Sequence, residues 1–520
     1  MPASHQQPRR RSLPGWLHYL LLAVLSLGVS AMTIYRGGLP DPHIHDEFSY
    51  LLAADTFALG RLTNPTHPMW KYLQTFYVLQ RPSYQSKYPP GQGLVLALGQ
   101  VITGEPIVGV WIITAALVLA AAWMLAGFVE FPWAIAGAAV LAVHPQIVEW
   151  SRIYWGGTIA ALGGVMMLGG WARMMRGSPA GRPAVVLGIG LGILLNTRPY
   201  EGFAMAVPVI VSLLWRANWK WCGLVLIVFA PIALWTGYYN FRVTGHLFEL
   251  PYVAYEQQYA AAPPLLIQSP RPVPTGIPIE MQEYARQVEL PHFNRQRSLR
   301  GFVTSVAQKS CDLLGDIAGA KPGSLWFMLA CAMMLALAVP IALAIRRNRG
   351  LWIVLTSILC TAAATMISNW TRSQYVAPAV GAVLILVVSA ARELAYWSKA
   401  AGWLVLMFAI FVFAALSVRS AGNVDQGSGR ARIALSLAKE PGRQLVLVRY
   451  LPHHRVDDEW VENEADIDHA KTVWARDPGP GQDRDLLDYF RDRTVWRLTV
   501  GHDGVSIARA NSSAPLHGQP

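Results

Sequence analysis

The chain has 520 residues, of which 53% are hydrophobic and only 14% charged, and it carries a formal net charge of +12. A mean hydropathy of +0.32 and repeated apolar runs near the length of a bilayer crossing exclude an ordinary soluble globular protein. The basic excess does not mark a nucleic-acid binder: residues 1–419 hold 30 Lys/Arg against 16 Asp/Glu, and many of those bases lie in short loops between apolar runs, where they act as topology signals.

In chain order, apolar spans are predicted at 16–36, 107–128, 132–148, 157–171, 184–196, 200–214, 221–238, 324–345, 351–367, 375–391 and 401–418. The start Arg9-Arg10-Arg11 precedes the first run with no small-residue cleavage pattern behind it, which predicts a retained first span. Residues 91–101 are apolar but too few to cross at 1.5 Å per residue, since a crossing takes roughly 20; an interfacial or re-entrant segment is expected there. With about eleven spans, Arg173/Arg176/Arg182, Arg216/Lys220, Arg346-Arg347-Asn348-Arg349 and Arg392/Lys399 all fall on one face. The positive-inside rule makes that face, with the N-terminus, cytoplasmic. Cys222, Cys331 and Cys360 sit in apolar runs and Cys311 stands alone in a polar loop, so neither a disulfide framework nor a Cys-based metal site is expected.

The expected architecture is an α-helical polytopic membrane protein with a small C-terminal α/β domain. Its transmembrane part covers 1–419, with a first outer loop at 37–106 and a long Pro-rich outer loop at 239–323 that carries 8 basic and 7 acidic residues. Residues 420–510 form an extracytoplasmic domain, in which 444–449 and 494–500 are predicted strands and 485–491 a helix. Residues 511–520 are an expected disordered tail. The acidic run Asp457-Asp458-Glu459-Trp460-Val461-Glu462-Asn463-Glu464-Ala465-Asp466-Ile467-Asp468 lacks the glycine turn and spacing of a calcium loop, and is predicted to be a solvated edge. The domain is expected either to contact an acceptor or to cap the outer loops.

The outer face collects the remaining ionisable groups. Directly after the first span comes Pro40-Asp41-Pro42-His43-Ile44-His45-Asp46-Glu47, then a helix-like run to Leu59. Asp46 can cap that helix with Glu47 in its first turn, or act as a general base at the membrane surface. Lys87-Tyr88-Pro89-Pro90 sets a cation at headgroup height, either snorkelling or facing a phosphate. His144, Glu149 and Arg152 mark one span end, Arg198 and Glu201 a turn between two spans, and Arg372 with Tyr375 the entry to a late one. Each cluster alone is compatible with an ion pair or an interface anchor. Five on one face point to a site, because ionisable groups at membrane depth are costly.

An Asp-Glu pair after span one, Lys-x-Pro-Pro at the membrane, Ser151-Arg152 ending the third span and Arg-x-x-Tyr-x-x-Pro entering a late span together resemble the GT-C glycosyltransferases. The nearest likeness is to bacterial members similar to protein O-mannosyltransferases and aminoarabinose lipid A transferases, and it covers most of 16–392. Lys87-Tyr88-Pro89-Pro90 has one residue more than the Lys-Pro-Pro or His-Pro-Pro of that family. The resemblance implies a bacterial inner-membrane hexosyl or pentosyl transferase with a periplasmic C-terminal domain. Its donor would be a polyprenyl-phosphate-linked sugar, and its acceptor an extracytoplasmic glycan, lipid or protein.

In residue terms the resemblance makes Asp46 the base, Glu47 its companion and Lys87, Arg152 and Arg372 donor-phosphate ligands. His45, Tyr88, Glu149, Arg198, Glu201 and Tyr375 would line the substrate. The leaving group departs as a phosphate anion, so such a site needs cations and not a second acid. One base with Lys or Arg beside it suffices for single-displacement inversion. No cofactor is required by this scheme; a divalent metal held by Asp46, Glu47, His43 and His45 is an open variant. A polytopic lipid or polysaccharide transporter or flippase is the alternative, disfavoured because no internal repeat is visible and the charges gather at one face. A lipid-binding assembly partner with vestigial residues also stays open.

Overall fold

The computed structural model describes residues 14–42, 44–176, 180–216, 219–420, 429–452, 454–455, 459–479, 481–502 and 504–510. The Arg9–Arg11 start, His43, Asp457, Asp458 and the 511–520 tail lie outside the described residues, as does the side chain of Arg216.

Twenty α-helices follow one another among the described residues. They are α1 (Gly15–Gly37), α2 (His45–Ala58), α3 (Pro90–Thr103), α4 (Pro106–Leu125), α5 (Phe131–Ala142), α6 (Pro145–Trp150), α7 (Thr158–Met174), α8 (Gly181–Leu195), α9 (Pro199–Arg216) and α10 (Trp219–Thr244). Then come α11 (Pro251–Tyr259), α12 (Ile279–Tyr284), α13 (Leu290–Arg297), α14 (Leu299–Ala318), α15 (Leu325–Arg347), α16 (Leu351–Ile367), α17 (Val380–Trp397), α18 (Lys399–Ser420), α19 (Gly429–Lys439) and α20 (Arg484–Tyr489). Each predicted span overlaps at least one of these helices. By length and composition α1, α4, α10, α15, α17 with its preceding turn, and α18 are the six able to cross a membrane, and α5, α8, α9 and α16 are shorter apolar helices. The chain is a polytopic membrane protein.

The span expected at 132–148 is broken. Pro145 has no N–H and disfavours a helical residue before it; His144 instead caps α6, its ring accepting from Gln146 N at 3.2 Å. The segment expected at the interface is α3, 14 residues long, started by Pro90 at its first turn and stopped by Gly104 in the left-handed region. Its Leu94, Leu98, Val101 and Ile102 are exposed, an apolar stripe suited to the bilayer surface.

Burial sorts the helices into an inner and an outer set. More than half of the apolar windows of α4 (56%) and α17 (61%) are enclosed, against 22% for α1, α15 and α18 and 11% for α10. The outer set leaves apolar side chains on the outside of the bundle, as a bilayer environment favours. Small residues let the inner backbones meet: a Cβ on Gly164 of α7 would lie 1.9 Å from the Pro378 carbonyl oxygen, and one on Gly109 of α4 would lie 1.8 Å from that of Val95 in α3.

At one end of the bundle, basic side chains pair locally. Arg392 Nη2 meets Glu130 at 2.5 Å, Arg347 Nε meets Glu393 at 2.8 Å, and Arg173 donates to the Trp123 carbonyl at 2.5 Å. The other end carries the long connections. The first contains a small sheet of β1 (Asn64–Pro65), β2 (Val78–Leu79) and β3 (Ser83–Ser86) in the order β1-β3-β2. The stretch predicted as a long loop is folded into α11 to α14.

The C-terminal part is a four-stranded sheet of β4 (Arg443–Tyr450), β5 (Thr472–Arg476), β6 (Arg493–Gly501) and β7 (Gly504–Arg509) in the order β5-β4-β6-β7. β4 pairs parallel with β5 and β6, and β7 closes an antiparallel hairpin. The continuous apolar run of β4 is explained by burial on both faces. Val446 and Val448 pack with Leu437 of α19 and Trp496, whereas Leu445 and Leu447 pack with Leu52, Leu73, Val78 and Tyr84 of the first long connection. The sheet therefore sits on that connection. The acidic run is not a solvated edge throughout: Glu459 and Glu462 are buried, Glu459 meeting Arg476 Nη2 at 2.6 Å and Glu462 accepting from Thr75 at 2.9 Å.

Candidate active site

α2 begins after Ile44, whose side chain makes no cap hydrogen bond, so Asp46 is not the cap; it stands in the first turn beside Glu47. Unsatisfied N–H groups there favour a carboxylate. Asp46 Oδ1 accepts a hydrogen bond from the Tyr88 phenol. The Tyr88 ring stacks on Tyr50, one helical turn along α2, with centroids 4.3 Å apart. Burial, with Asp46 beside the hydroxyl, pushes the Tyr88 phenol well up, so it remains a protonated donor.

The segment that delivers Tyr88 is held from both ends. Tyr77 takes φ 62, a left-handed conformation that costs a non-glycine residue about 1 kcal/mol or more. Its carbonyl accepts from Ser49 Oγ at 2.7 Å and from Lys87 N at 3.0 Å. At the other end Gly91 N donates to Asn196 O at 2.7 Å. A Cβ on Gly91 would lie 2.6 Å from that oxygen, so only glycine permits the approach. This contact brings the Asn196–Arg198 turn beside the Lys-Tyr-Pro-Pro segment.

Lys87 is buried, at 4% exposure. Its Nζ donates to Glu256 Oε1 at 3.1 Å and faces the rings of Tyr77, Tyr252, Tyr255 and Tyr88 at 3.9, 4.5, 4.7 and 5.5 Å. Cation–π attraction and one carboxylate satisfy the ammonium without water. Glu289 lies within reach of the same pair, and burial, helped by Glu256 and opposed by Lys87, pushes its carboxyl up to about 7.

Arg198 lies over the Tyr375 ring at 4.6 Å and within electrostatic reach of Tyr50, Glu201 and Tyr88. Tyr375 is in turn within reach of Asp46 and Arg372. Arg372 is exposed and stands 5.9 Å from the Trp155 ring. Asp46, Tyr88, Tyr50, Arg198, Glu201, Tyr375 and Arg372 thus form one neighbourhood, with Lys87 one tyrosine behind it.

The other predicted residues are turned to different tasks. Glu47, at 1% exposure, accepts from Tyr154 N at 3.2 Å, and the Tyr154 phenol donates to Pro40 O at 2.9 Å; Glu47 ties α2 to the 152–155 segment. His45 stacks on Phe76 at 4.6 Å and meets Tyr77 edge-on at 5.4 Å. Arg152 and Glu149 approach each other at 3.8 Å on the rim. His43, the remaining candidate ligand, lies outside the described residues. Among the described residues no group of three or more His, Cys, Asp or Glu is arranged to hold a metal.

Beside Arg372 an apolar cavity of about 450 Å³ opens between α5, α6 and α14 to α18. Ser373, Gln146, Trp150 and Asp316 mark its polar end, and Trp150 Nε1 donates to Ser373 Oγ at 3.1 Å. On α18 its lining runs from Val405 to Leu416, roughly 16 Å at 1.5 Å per residue. That is about the hydrocarbon depth of one leaflet.

Sequence reasoning missed Tyr50, Tyr77, Tyr252, Tyr255, Glu256 and Glu289. Tyr252-Val-Ala-Tyr255-Glu256 holds its two phenol rings and one acid at i, i+3 and i+4, a one-faced spacing that was the available signal.

A bundle whose connecting segments and sheet domain gather at one end is a fold that solved membrane-protein structures share. The oligosaccharyltransferase of Archaeoglobus fulgidus, crystallised in complex with Zn and sulfate, is similar with a TM-score of 0.54 at 13% identity, covering 93% of this chain and 67% of that one. ArnT from Cupriavidus metallidurans in the apo state has a TM-score of 0.53 at 13% identity, covering 93% of each chain. Its form bound to undecaprenyl phosphate gives 0.51 at 14% identity, covering 94% of this chain and 93% of that one. No family model matches the sequence, and no curated protein matches it.

Proposed function

We propose that this chain is an integral-membrane glycosyltransferase that moves a sugar from a polyprenyl-phosphate donor to an extracytoplasmic acceptor. The juxtaposition of Asp46 and Tyr88 with Arg198 and Tyr375 carries the reading, and an apolar cavity lined from Ser373, the residue after Arg372, offers room for a prenyl chain. The undecaprenyl phosphate bound to ArnT of the same fold supports the donor class. In this reading all eleven predicted segments cross or enter the bilayer of a bacterial inner membrane, with the N-terminus cytoplasmic. Residues 1–419 are the membrane domain, and 420–510 a periplasmic one.

The chemistry follows from the residues. Asp46 Oδ2, with Oδ1 held by Tyr88, takes the proton of an acceptor hydroxyl or amine. The freed electron pair attacks the anomeric carbon of the donor sugar, the bond from that carbon to the phosphate oxygen breaks, and the prenyl phosphate leaves with the bonding pair. Arg198 and Arg372 meet the departing charge, since both stand within electrostatic reach of Tyr375, as Asp46 does. Lys87 acts from behind, by fixing Tyr77 and Tyr88. Glu47, Arg152 and Glu149 hold the rim. The step balances with these side chains alone.

The test is mass spectrometry of envelope lipids and glycans from cells with the wild-type chain, without it, and with Asp46→Asn. Loss of one glycosylated product together with build-up of a prenyl-linked sugar, in both the deletion and the Asn variant, is expected. An Asp46→Asn strain indistinguishable from wild type sinks the assignment.

A further inference from the structure

α2 has a second face, which the proposed chemistry does not use. His45, Phe48, Leu52 and Asp55 recur at i, i+3, i+7 and i+10, one stripe of a helix, and the last three meet the C-terminal sheet domain. His45 is within electrostatic reach of Glu459. The Phe48 ring lies under the Arg430 guanidinium at 4.6 Å. Leu52 is buried against Leu445, Leu447 and Val473. Asp55 Oδ2 accepts from Ala465 N at 2.7 Å.

Arg430 is itself fixed. It donates from Nε to Trp460 O at 3.2 Å and from Nη2 to Glu462 O at 2.8 Å, and covers the Trp474 ring at 4.9 Å. A second grip holds the connection that leads to Tyr77 and Tyr88. Arg476 donates to Gln74 O at 2.8 Å and pairs with Glu459 at 2.6 Å and with Glu280 of α12 at 3.0 Å. Thr75 donates to Glu462 at 2.9 Å. Arg476, Glu459 and Glu462 are all buried. Buried ion pairs return little net stability against their desolvation cost, whereas their directional hydrogen bonds restrict geometry. The helix that carries Asp46 and the connection that leads to Tyr88 are therefore both held by the C-terminal sheet domain.

We propose that the C-terminal domain is a positioning element for the candidate active site, in which Arg430 on Phe48 and Arg476 on Gln74 hold α2 and the Tyr88 segment in mutual register. Arg430 and Arg476 touch no reacting atom; they act through α2 and the first connection. The meaning given to the activity readout rests on the glycosyltransferase reading, while the mechanical part does not.

The experiment compares the full-length wild type with Arg430→Ala and Phe48→Leu in lipid nanodiscs, by hydrogen exchange of the 45–58 peptide and by steady-state transfer kinetics. Phe48→Leu keeps apolar volume and loses the ring face, and it covers the case in which Arg430→Ala fails to fold. Exchange in 45–58 is expected to quicken about tenfold or more, and kcat to fall about ten- to a hundredfold with donor KM within about twofold. Phe48→Tyr, which restores the ring under Arg430, is expected to recover both. Unchanged exchange overturns the proposal. So does faster exchange with unchanged kcat, or a rise in donor KM that matches the loss of kcat. Should the wild type transfer no sugar, the function reading fails, and the exchange arm alone decides whether the domain holds α2.

Discussion

The Tyr88 phenol donates to the Asp46 carboxylate across 42 residues of sequence, and Tyr88 is the residue by which Lys87-Tyr88-Pro89-Pro90 exceeds the shorter Lys-Pro-Pro pattern. The additional residue is thus the one that reaches the acid. It also separates Lys87 from the prolines and lets the lysine turn inward to Glu256. Tyr88 thus holds Asp46 while its neighbour Lys87 pairs with Glu256.

Tyr88→Phe isolates that hydrogen bond, because the stack on Tyr50 survives and only the hydroxyl is lost. A hydrogen bond to a charged group contributes about 1.5–3 kcal/mol, so an Asp46 free to turn is expected to lower kcat about tenfold or more with little change in donor KM. Steady-state transfer assays on the purified variant check this. Wild-type kcat would reduce Tyr88 to a packing residue.

Arg198→Lys keeps the charge and removes the planar group that lies over Tyr375. An ammonium offers neither the fork nor the stack, so donor KM is expected to rise about tenfold, or about 1.4 kcal/mol of binding, and Arg198→Ala to cost more. Acceptor KM is expected to stay put. Titration with donor at saturating acceptor, then the reverse, separates the two; a change confined to acceptor KM would remove Arg198 from the phosphate.

Gly164→Ala tests the packing that delivers Tyr375. The added methyl would sit 1.9 Å from the Pro378 carbonyl oxygen, a backbone atom that cannot rotate away. Overpacking of this kind costs about 1–3 kcal/mol, so a lower thermal midpoint in nanodiscs is expected. Gly223→Ala on lipid-facing α10 meets nothing within 4 Å and serves as the comparison; equal midpoints for the two variants would mean that the α7 approach is less tight than described.

The helices were legible because bilayer crossing forces long apolar runs, although the single span expected at 132–148 passed over the break that Pro145 makes between α5 and α6. The candidate site was legible in part for a related reason: Asp46, Arg198 and Tyr375 are polar groups where polarity is costly. Their partners were not. Lys87 reads the same whether it faces lipid phosphate or Glu256, and only a contact spanning 169 residues distinguishes the two. Glu459 and Glu462 look like solvated acids in a charged run until Arg476 and Thr75 bury them. Pairings made across two domains leave no periodic trace in either segment.

Glu289 gives the cage a pH dependence whose sign can be worked out. Its carboxyl is raised from 4.5 to about 7, first by burial and then by Glu256, with Lys87 opposing. Between those values the folded chain keeps a proton that the unfolded chain has lost, so this contribution to stability is complete below about 4.5 and declines as pH rises through about 7, by on the order of 3 kcal/mol. Glu289→Gln carries no such proton. The wild-type thermal midpoint should therefore fall between pH 5 and pH 8 more steeply than that of the Gln variant. Ionised Glu289 also adds negative charge beside Lys87, which disfavours an approaching phosphate, so wild-type donor KM should climb over the same interval while the variant's stays level. Parallel midpoint curves, with donor KM rising equally in both proteins, would mean that Glu289 does not titrate there.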